Sequence, residues 1–104
     1  MNDLLEVNGV SLRIRDVVVS DRNYIRSTWL RATKDWKSWV YPMVGQAIEL
    51  DCVRVATYDG DDNLIAGWAV GRNGSPLMAY VQGDPALNLR GHGLGKRLIQ
   101  EVSK

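Results

Sequence analysis

The spacing of apolar side chains in the first half of the chain predicts a strand followed by helix. Residues 12–19 are rich in β-branched side chains and partly alternate between apolar and polar, which predicts the first strand. From residue 21 to about residue 41, apolar residues recur every three or four positions, so one face of one helix, or of two consecutive helices, should be buried. Ser20 and Asp21 can cap this region, and Pro42 is expected to break it, because proline disfavours helical backbone in the preceding residue.

The second half of the chain predicts three more strands and a closing helix. Apolar runs bounded by turn-forming residues predict the strands, and apolar side chains at helical spacing predict the helix. The predicted strands cover residues 52–58, 64–70 and 77–82, and the helix starts near residue 94. Polar residues 59–63 should join the first two of these strands in an antiparallel hairpin, and residues 7–10 should form a short turn near the start of the chain.

Composition and charge exclude several classes of protein. The chain has 104 residues, of which 45% are hydrophobic and 24% charged, so we expect one globular domain over residues 1–104. One histidine and one cysteine argue against a zinc site, so no metal is expected, and Cys52 should be a small buried residue of its strand. No apolar run approaches membrane-spanning length and no signal peptide opens the chain, which favours a cytoplasmic, intracellular protein without a membrane partner.

Tryptophans and cations share the helical region, and this combination admits two interpretations. Trp29, Trp36 and Trp39 lie on one stripe, while arginines and lysines fall mostly elsewhere around the helix. Such a set could stack on nucleic-acid bases. A buried stripe with a solvated basic face is favoured, because a net charge of +1 gives little attraction to nucleic acid.

A glycine-rich segment just before the last helix is the stretch most suggestive of ligand binding. Gly91, Gly93 and Gly95 alternate there and lead into Lys96 and Arg97. The first N–H groups of a helix have no partner within it, and glycine lets an anion approach them closely. Cations in the first turn oppose the helix dipole unless an anion is bound. The segment therefore predicts a site for a phosphate or pyrophosphate.

Two common phosphate-binding patterns do not fit this segment. A P-loop needs a glycine where the chain has Arg90 and a serine or threonine where it has Arg97. A dinucleotide fingerprint starting at Gly91 needs its third glycine where the chain has Lys96. A glycine turn with a purely structural role stays open as an alternative.

The pattern that fits is Arg90-x-x-Gly93-x-Gly95, which resembles the Q/R-x-x-G-x-G/A signature of the GNAT superfamily of acyl-CoA-dependent N-acyltransferases. The predicted order of strand, helices, three-strand meander, glycine loop and helix is similar to the N-terminal part of that fold. The resemblance implies an α/β (α+β) fold with a mixed, mostly antiparallel sheet flanked by helices. The C-terminal strands and helix of the family are expected to be lacking, since the sequence stops at Lys104.

The same resemblance implies acetyl-CoA as cofactor and direct transfer of its acetyl group to an amine acceptor. A backbone N–H near Val81 or Gln82 would polarise the thioester carbonyl. The glycine loop would hold the pyrophosphate, with the two cations that follow it adding local charge. The residues implied for cofactor binding are Val81, Gln82, Arg90, Gly91, His92, Gly93, Leu94, Gly95, Lys96 and Arg97.

The acceptor site and the catalytic base have no diagnostic motif in this sequence. By their position in the resemblance, Trp36, Trp39 and Tyr41 are candidates to contact the acceptor. Asp84, beside the expected cleft, is the candidate base, and a turn residue before Pro85 is the alternative interpretation of the same carboxylate.

Two features set the chain apart from the family pattern. Residues 82–89, between the last predicted strand and the signature, form a longer link than is common in the family. The strand at residues 78–82 lacks its usual neighbour, so we expect a second copy or a partner chain to cover its edge. An alternative function therefore stays open, in which a catalytically inactive GNAT-like domain serves as a binding or structural subunit of a larger assembly.

Overall fold

The chain folds in three layers, with a sheet between two helical layers. A computed structural model describes residues 3–33, 40–83, 90–91 and 93–103. The strands are β1 (Asp3–Val7), β2 (Val10–Asp16), β3 (Cys52–Tyr58), β4 (Asp61–Arg72) and β5 (Ser75–Val81). The helices are α1 (Arg22–Thr33), α2 (Val40–Leu50) and α3 (Leu94–Val102), with a short 3-10 turn at Val19–Asp21 before α1.

The sheet is a meander in which each strand pairs with its neighbours in sequence. Its order is β1-β2-β3-β4-β5, and all of these pairings are antiparallel. The predicted antiparallel hairpin of β3 and β4 is confirmed. In the described part of the chain, β1 and β5 are the two edges of the sheet, and the glycine segment follows the β5 edge in sequence.

β1 is an element that the sequence pattern does not predict. Two of its five residues are charged, and of its described side chains Val7 is buried while Leu4 is 62% exposed. The predicted turn that follows is confirmed, since Asn8 and Gly9 have φ angles of 51° and 79°. Positive φ at both central residues is what a tight two-residue hairpin needs, and this turn folds β1 back onto β2.

β2 ends earlier than the predicted strand over residues 12–19. The carboxylate of Asp21 accepts a hydrogen bond from the Val18 N–H at 2.9 Å and pairs with both Nη atoms of Arg15 at 2.7 and 3.1 Å. Asp21 is only 4% exposed, so this pair is strongly held. The carboxylate thereby turns residues after Asp16 out of the strand and into the start of α1.

The prediction that Pro42 breaks the helical region is wrong. α1 ends at Thr33, and Pro42 lies in the first turn of the separate helix α2. The first N–H groups of a helix have no internal acceptor, so a proline there loses no hydrogen bond. Residues 34–39, which join the two helices in sequence, lie outside the described residues.

The hairpin of β3 and β4 differs from its prediction in two details. Cys52 is exposed rather than buried, because it is the first residue of β3 and the strand enters the core only at Val53. The turn is shorter than residues 59–63, since β4 already begins at Asp61. Gly60, with a φ of 91°, provides the sharp reversal that the shorter turn needs.

β4 contributes side chains to the core on both faces of the sheet. Trp68 and Val70 pack with α1 and α2 on one face, and Ala69 packs with α3 on the other. Trp68 is fully buried, and its indole Nε1 donates to Thr28 Oγ1 at 2.8 Å. Thr28 in turn donates to the Tyr24 carbonyl at 2.8 Å, so the indole N–H and the hydroxyl of this contact are both satisfied.

α3 lies unusually close to β4 because the strand carries glycine where the helix crosses it. A Cβ at Gly71 would lie 2.5 Å from the Val102 carbonyl oxygen, and one at Gly67 would lie 3.2 Å from Leu98 Cδ1. The buried face of α3 consists of Leu94, Leu98 and Val102, each at most 2% exposed. Gly71 thus determines how deeply α3 sits on the sheet, while a Cβ at Gly67 would first meet the Tyr80 carbonyl oxygen of β5, at 2.6 Å.

We predict that Gly71→Ala destabilises the protein by about 1–3 kcal/mol, the range for an added methyl group in a packed interior. The new Cβ would meet backbone and Cβ atoms of Val102, which cannot move without shifting α3. Urea unfolding followed by circular dichroism measures the change. Gly45→Ala is the control, since its Cβ would meet only the tip of the Arg26 side chain at 3.4 Å; equal stability of the two variants would contradict the prediction.

Candidate functional site

An open cleft of about 470 Å³ lies between the edge of β5 and the N-terminus of α3. Residues from α1, β5, the glycine segment and α3 contribute to its walls. They include Ala32, Met78, Tyr80, Arg90, Gly95 and Lys96. The structure thus brings the strand and the glycine segment that the sequence singled out to one place.

The register of β5 determines which backbone groups face the cleft. Gly67 pairs with Val81 and Trp68 with Tyr80, and the Gln82 N–H donates to the Ala66 carbonyl at 2.8 Å. Backbone groups of an antiparallel strand alternate in direction along the chain. The N–H and C=O of Val81 therefore point away from β4, toward the open edge. Of the two N–H groups proposed from the sequence, that of Gln82 is already bonded within the sheet.

No side chain of the described residues caps the backbone N–H groups at the N-terminus of α3. Gly93 occupies the cap position with a φ of 88°, and the first helical bond runs from the Arg97 N–H to the Gly93 carbonyl at 3.0 Å. The N–H groups of Leu94, Gly95 and Lys96 precede that bond, so the helix gives them no acceptor. The positive end of the helix dipole lies here as well, which favours an anion.

The two cations that follow the glycines have different surroundings. Lys96 lines the cleft. Arg97 points along the helix surface, and its Nε lies 3.2 Å from Glu101 one turn later. Of these two residues, Lys96 is the one that lines the cleft, while the charge of Arg97 is partly neutralised by Glu101.

Arg90, the first residue of the signature, lies along β5. Its Nε donates to the Val81 carbonyl oxygen at 2.8 Å, and its Cζ lies 5.7 Å from the centre of the Tyr80 ring. The Tyr80 ring also stacks on the buried Trp68, with ring centres 5.9 Å apart. The guanidinium is thus placed by the half-buried Tyr80 ring and by one strand carbonyl.

Tyrosines surround the end of β5, and the sequence analysis did not single them out. Burial, followed by the influence of the nearby Tyr80 hydroxyl, raises the pKa of Tyr24 above its ordinary value. The Tyr24 hydroxyl is protonated at neutral pH, as that of an ordinary tyrosine is, and it can donate a hydrogen bond. Tyr58 accepts a hydrogen bond from Gln82 Nε2 at 3.0 Å. These residues come from α1, β3 and β5, and no spacing in the sequence connects them.

Several residues proposed from the sequence are not located by the structure. Trp36, Trp39, Asp84 and His92 lie outside the described residues, and Tyr41 is described only as backbone of α2. Among the residues that the structure does describe, no group of three or more histidine, cysteine, aspartate or glutamate side chains could hold a metal ion. No helix within that part of the chain is long and apolar enough to cross a membrane.

Comparison with known proteins shows the fold. No family model matches the chain, and no curated protein matches it. Among solved structures, it is similar to an acetyltransferase of the GNAT family from Listeria monocytogenes 4b F2365, with a TM-score of 0.56 and 17% sequence identity. The match covers 96% of this chain and 72% of that chain. The chain therefore has a GNAT-like fold, as the resemblance in its sequence implied.

We predict that the two signature glycines tolerate alanine differently. Gly93→Ala should lower stability by about 1–2 kcal/mol, because an L-residue is strained at its positive φ even though the space around it is open. Gly95 has no such φ, and its Cβ would make an ordinary 3.5 Å contact with Val81 Cγ2. Gly95→Ala should leave stability unchanged or raise it by up to about 1 kcal/mol, the usual helical preference for alanine. Urea unfolding of both variants measures the difference, and a larger loss for Gly95→Ala would show that α3 begins elsewhere.

Proposed function

We propose that the chain binds acetyl-CoA in the cleft between β5 and α3 and transfers the acetyl group to an amine acceptor. The observation that carries the proposal is the convergence of two features in one cleft. Uncapped N–H groups at the start of α3 offer a site for the pyrophosphate, and the open edge of β5 offers backbone groups for an extended chain. The GNAT-like fold supports this combination.

Each part of the cleft has a role in this proposal. The N–H groups at the start of α3 hold the pyrophosphate with the positive charges of Lys96 and Arg90 nearby. Backbone groups of β5 pair with the amides of the pantetheine chain as another strand would. The Val81 N–H donates to the thioester carbonyl oxygen and stabilises the negative charge that develops there.

Acetyl-CoA supplies the acetyl group in activated form, as a thioester. In the reaction a carbon–nitrogen bond to the amine forms and the carbon–sulfur bond breaks, while one proton leaves the amine and one reaches the sulfur. Asp84 is the proposed base for the amine proton, because it follows β5 in sequence beside the expected cleft. Trp36, Trp39 and Tyr41 are proposed to contact the acceptor, and this proposal rests on the resemblance alone. A cytoplasmic location suits this reaction, because the substrate is an intracellular metabolite.

Lys96 and Arg97 offer a matched test of cofactor binding. Lys96→Gln should weaken coenzyme A binding by about threefold to tenfold, the value of one charge-assisted contact at a partly exposed site. Arg97→Gln removes the same charge one residue later but acts on a side chain paired with Glu101, so its effect should be smaller. Isothermal titration at low and at physiological salt measures both variants. Absence of coenzyme A binding to the unaltered chain at millimolar ligand would contradict the proposed function.

A second candidate function follows from the open edge of β5. Among the described residues β5 pairs with β4 alone, so the edge at residues 78–82 can accept a strand from another molecule. In this case the domain is an inactive binding or structural subunit, and a second copy or a partner chain occupies the place proposed for the cofactor. The two functions exclude each other at this edge.

Light scattering combined with titration separates the two functions. An inactive subunit whose edge is covered by a second copy should be a dimer at a protein concentration of about 100 µM, which is enough to populate even a weak dimer. Excess coenzyme A should not change the mass of that dimer. An acetyl-CoA-binding domain should bind coenzyme A, and a dimer formed through β5 should dissociate as it binds. A folded monomer that binds coenzyme A would exclude the self-associating subunit.

A further inference from the structure

We propose that Arg90 is a latch on the edge of β5, which the acyl-pantetheine chain must displace from the Val81 carbonyl. The inference rests on the proposed function and adds a step to it. The Arg90 side chain has a latched position, in which it bonds to β5, and a released position, in which the ligand bonds there instead. Binding of the chain and release of the Arg90 side chain are therefore one exchange.

The direction of the Val81 carbonyl is the first step of the argument. The N–H and C=O of one residue point to the same side of a strand, and those of Val81 point to the open edge. An extended ligand on this edge reaches the residues whose groups face outward, Ala79 and Val81. The outward carbonyl of Val81 already accepts the Arg90 Nε–H at 2.8 Å. Arg90 thus occupies a backbone acceptor that the ligand needs.

The strength of this contact is the second step. The guanidinium has an aromatic face beneath it, 5.7 Å away in Tyr80, and this favours one resting position. The hydrogen bond itself is exposed to solvent, where a single bond contributes little net free energy. Arg90 is therefore held well enough to have a defined position and loosely enough for a ligand to replace it.

Gly83 is the third step, because its missing side chain makes room for the latch. A Cβ at Gly83 would lie 2.9 Å from Arg90 Cζ and 3.0 Å from its Nη1. These atoms belong to the end of a long, flexible side chain, which can move away. The backbone of Gly83 does not have a positive φ, so alanine fits there without strain. Gly83→Ala therefore removes the latch without altering Arg90, β5 or α3.

The test compares ligand affinities of the unaltered chain and Gly83→Ala by isothermal titration. Coenzyme A should bind the variant about threefold to tenfold more tightly, because the ligand no longer replaces one hydrogen bond. ADP, which has the pyrophosphate but lacks the pantetheine chain, should gain less than coenzyme A. Gly45→Ala, on α2, is the matched control, since it also brings a methyl group to the tip of an arginine, that of Arg26 on α1. It should leave both affinities unchanged.

A spectroscopic measurement tests the exchange directly. The Arg90 Nε–H signal in the NMR spectrum, identified by its loss in Arg90→Lys, should be protected from solvent exchange in the free chain. Saturation with coenzyme A should remove this protection, and Gly83→Ala should lack it from the start.

Failure of the latch and failure of the proposed function give different results. The latch is wrong if coenzyme A binds but Gly83→Ala gains no affinity. It is also wrong if the Arg90 Nε–H keeps its protection in the complex, because Arg90 then stays bonded to β5 when the ligand is bound. If neither chain binds coenzyme A, the proposed function fails and the latch fails with it.

Discussion

The close packing of α3 on β4 is the constraint on which the cleft depends. The helix sits where Gly67 and Gly71 leave no side chains between it and the strand. Leu94, in the first turn of α3, is 1% exposed, so even the start of the helix is anchored in the core. Its uncapped N–H groups are therefore held at a constant distance from the edge of β5. A helix end anchored in the core keeps its N–H groups in place more rigidly than a free glycine loop would.

The face of the sheet that packs against α1 and α2 positions the β5 side of the cleft. Trp68 is fixed by its hydrogen bond to Thr28, and its ring contacts Trp29 in a tilted arrangement at 5.7 Å and stacks on Tyr80 at 5.9 Å. Tyr80 is thereby supported from the core, and Arg90 lies over its ring. A column of aromatic rings thus runs from α1 to the cleft. The hydrophobic core and the charged lining are connected through one tyrosine.

The sequence predicts the parts of this fold whose signals are local. Apolar runs predict the central strands, the apolar spacing of Leu94, Leu98 and Val102 predicts α3, and the glycines predict its uncapped start. β1 has no such signal, because it is formed by pairing with β2 and buries little of its own surface. The sequence does not predict α2, because Pro42 is compatible with the start of a helix but not with its interior, and the sequence does not show which of the two applies.

The site shows the same limit at the level of single atoms. A one-residue change of register reverses which backbone groups face outward, so no sequence pattern shows whether the N–H of Val81 or that of Gln82 points to the open edge. The hydrogen bond from the Gln82 N–H to the Ala66 carbonyl shows that it is the N–H of Val81. Likewise Lys96 and Arg97 are equivalent in sequence, and only the contact of Arg97 with Glu101 distinguishes them. The tyrosines around β5 come from distant parts of the chain, so their proximity is a property of the fold.

The edge of β5 also limits what can occupy the cleft. Arg90 supplies a donor to the Val81 carbonyl, but a guanidinium has no acceptor to offer. The outward N–H groups of Ala79 and Val81 need acceptors, and a positive side chain cannot provide them. Water can satisfy these groups while the cleft is open, whereas a ligand that excludes water must bring carbonyl oxygens at the spacing of a strand. Both a pantetheine chain and a partner strand meet this requirement, and a purely apolar ligand does not.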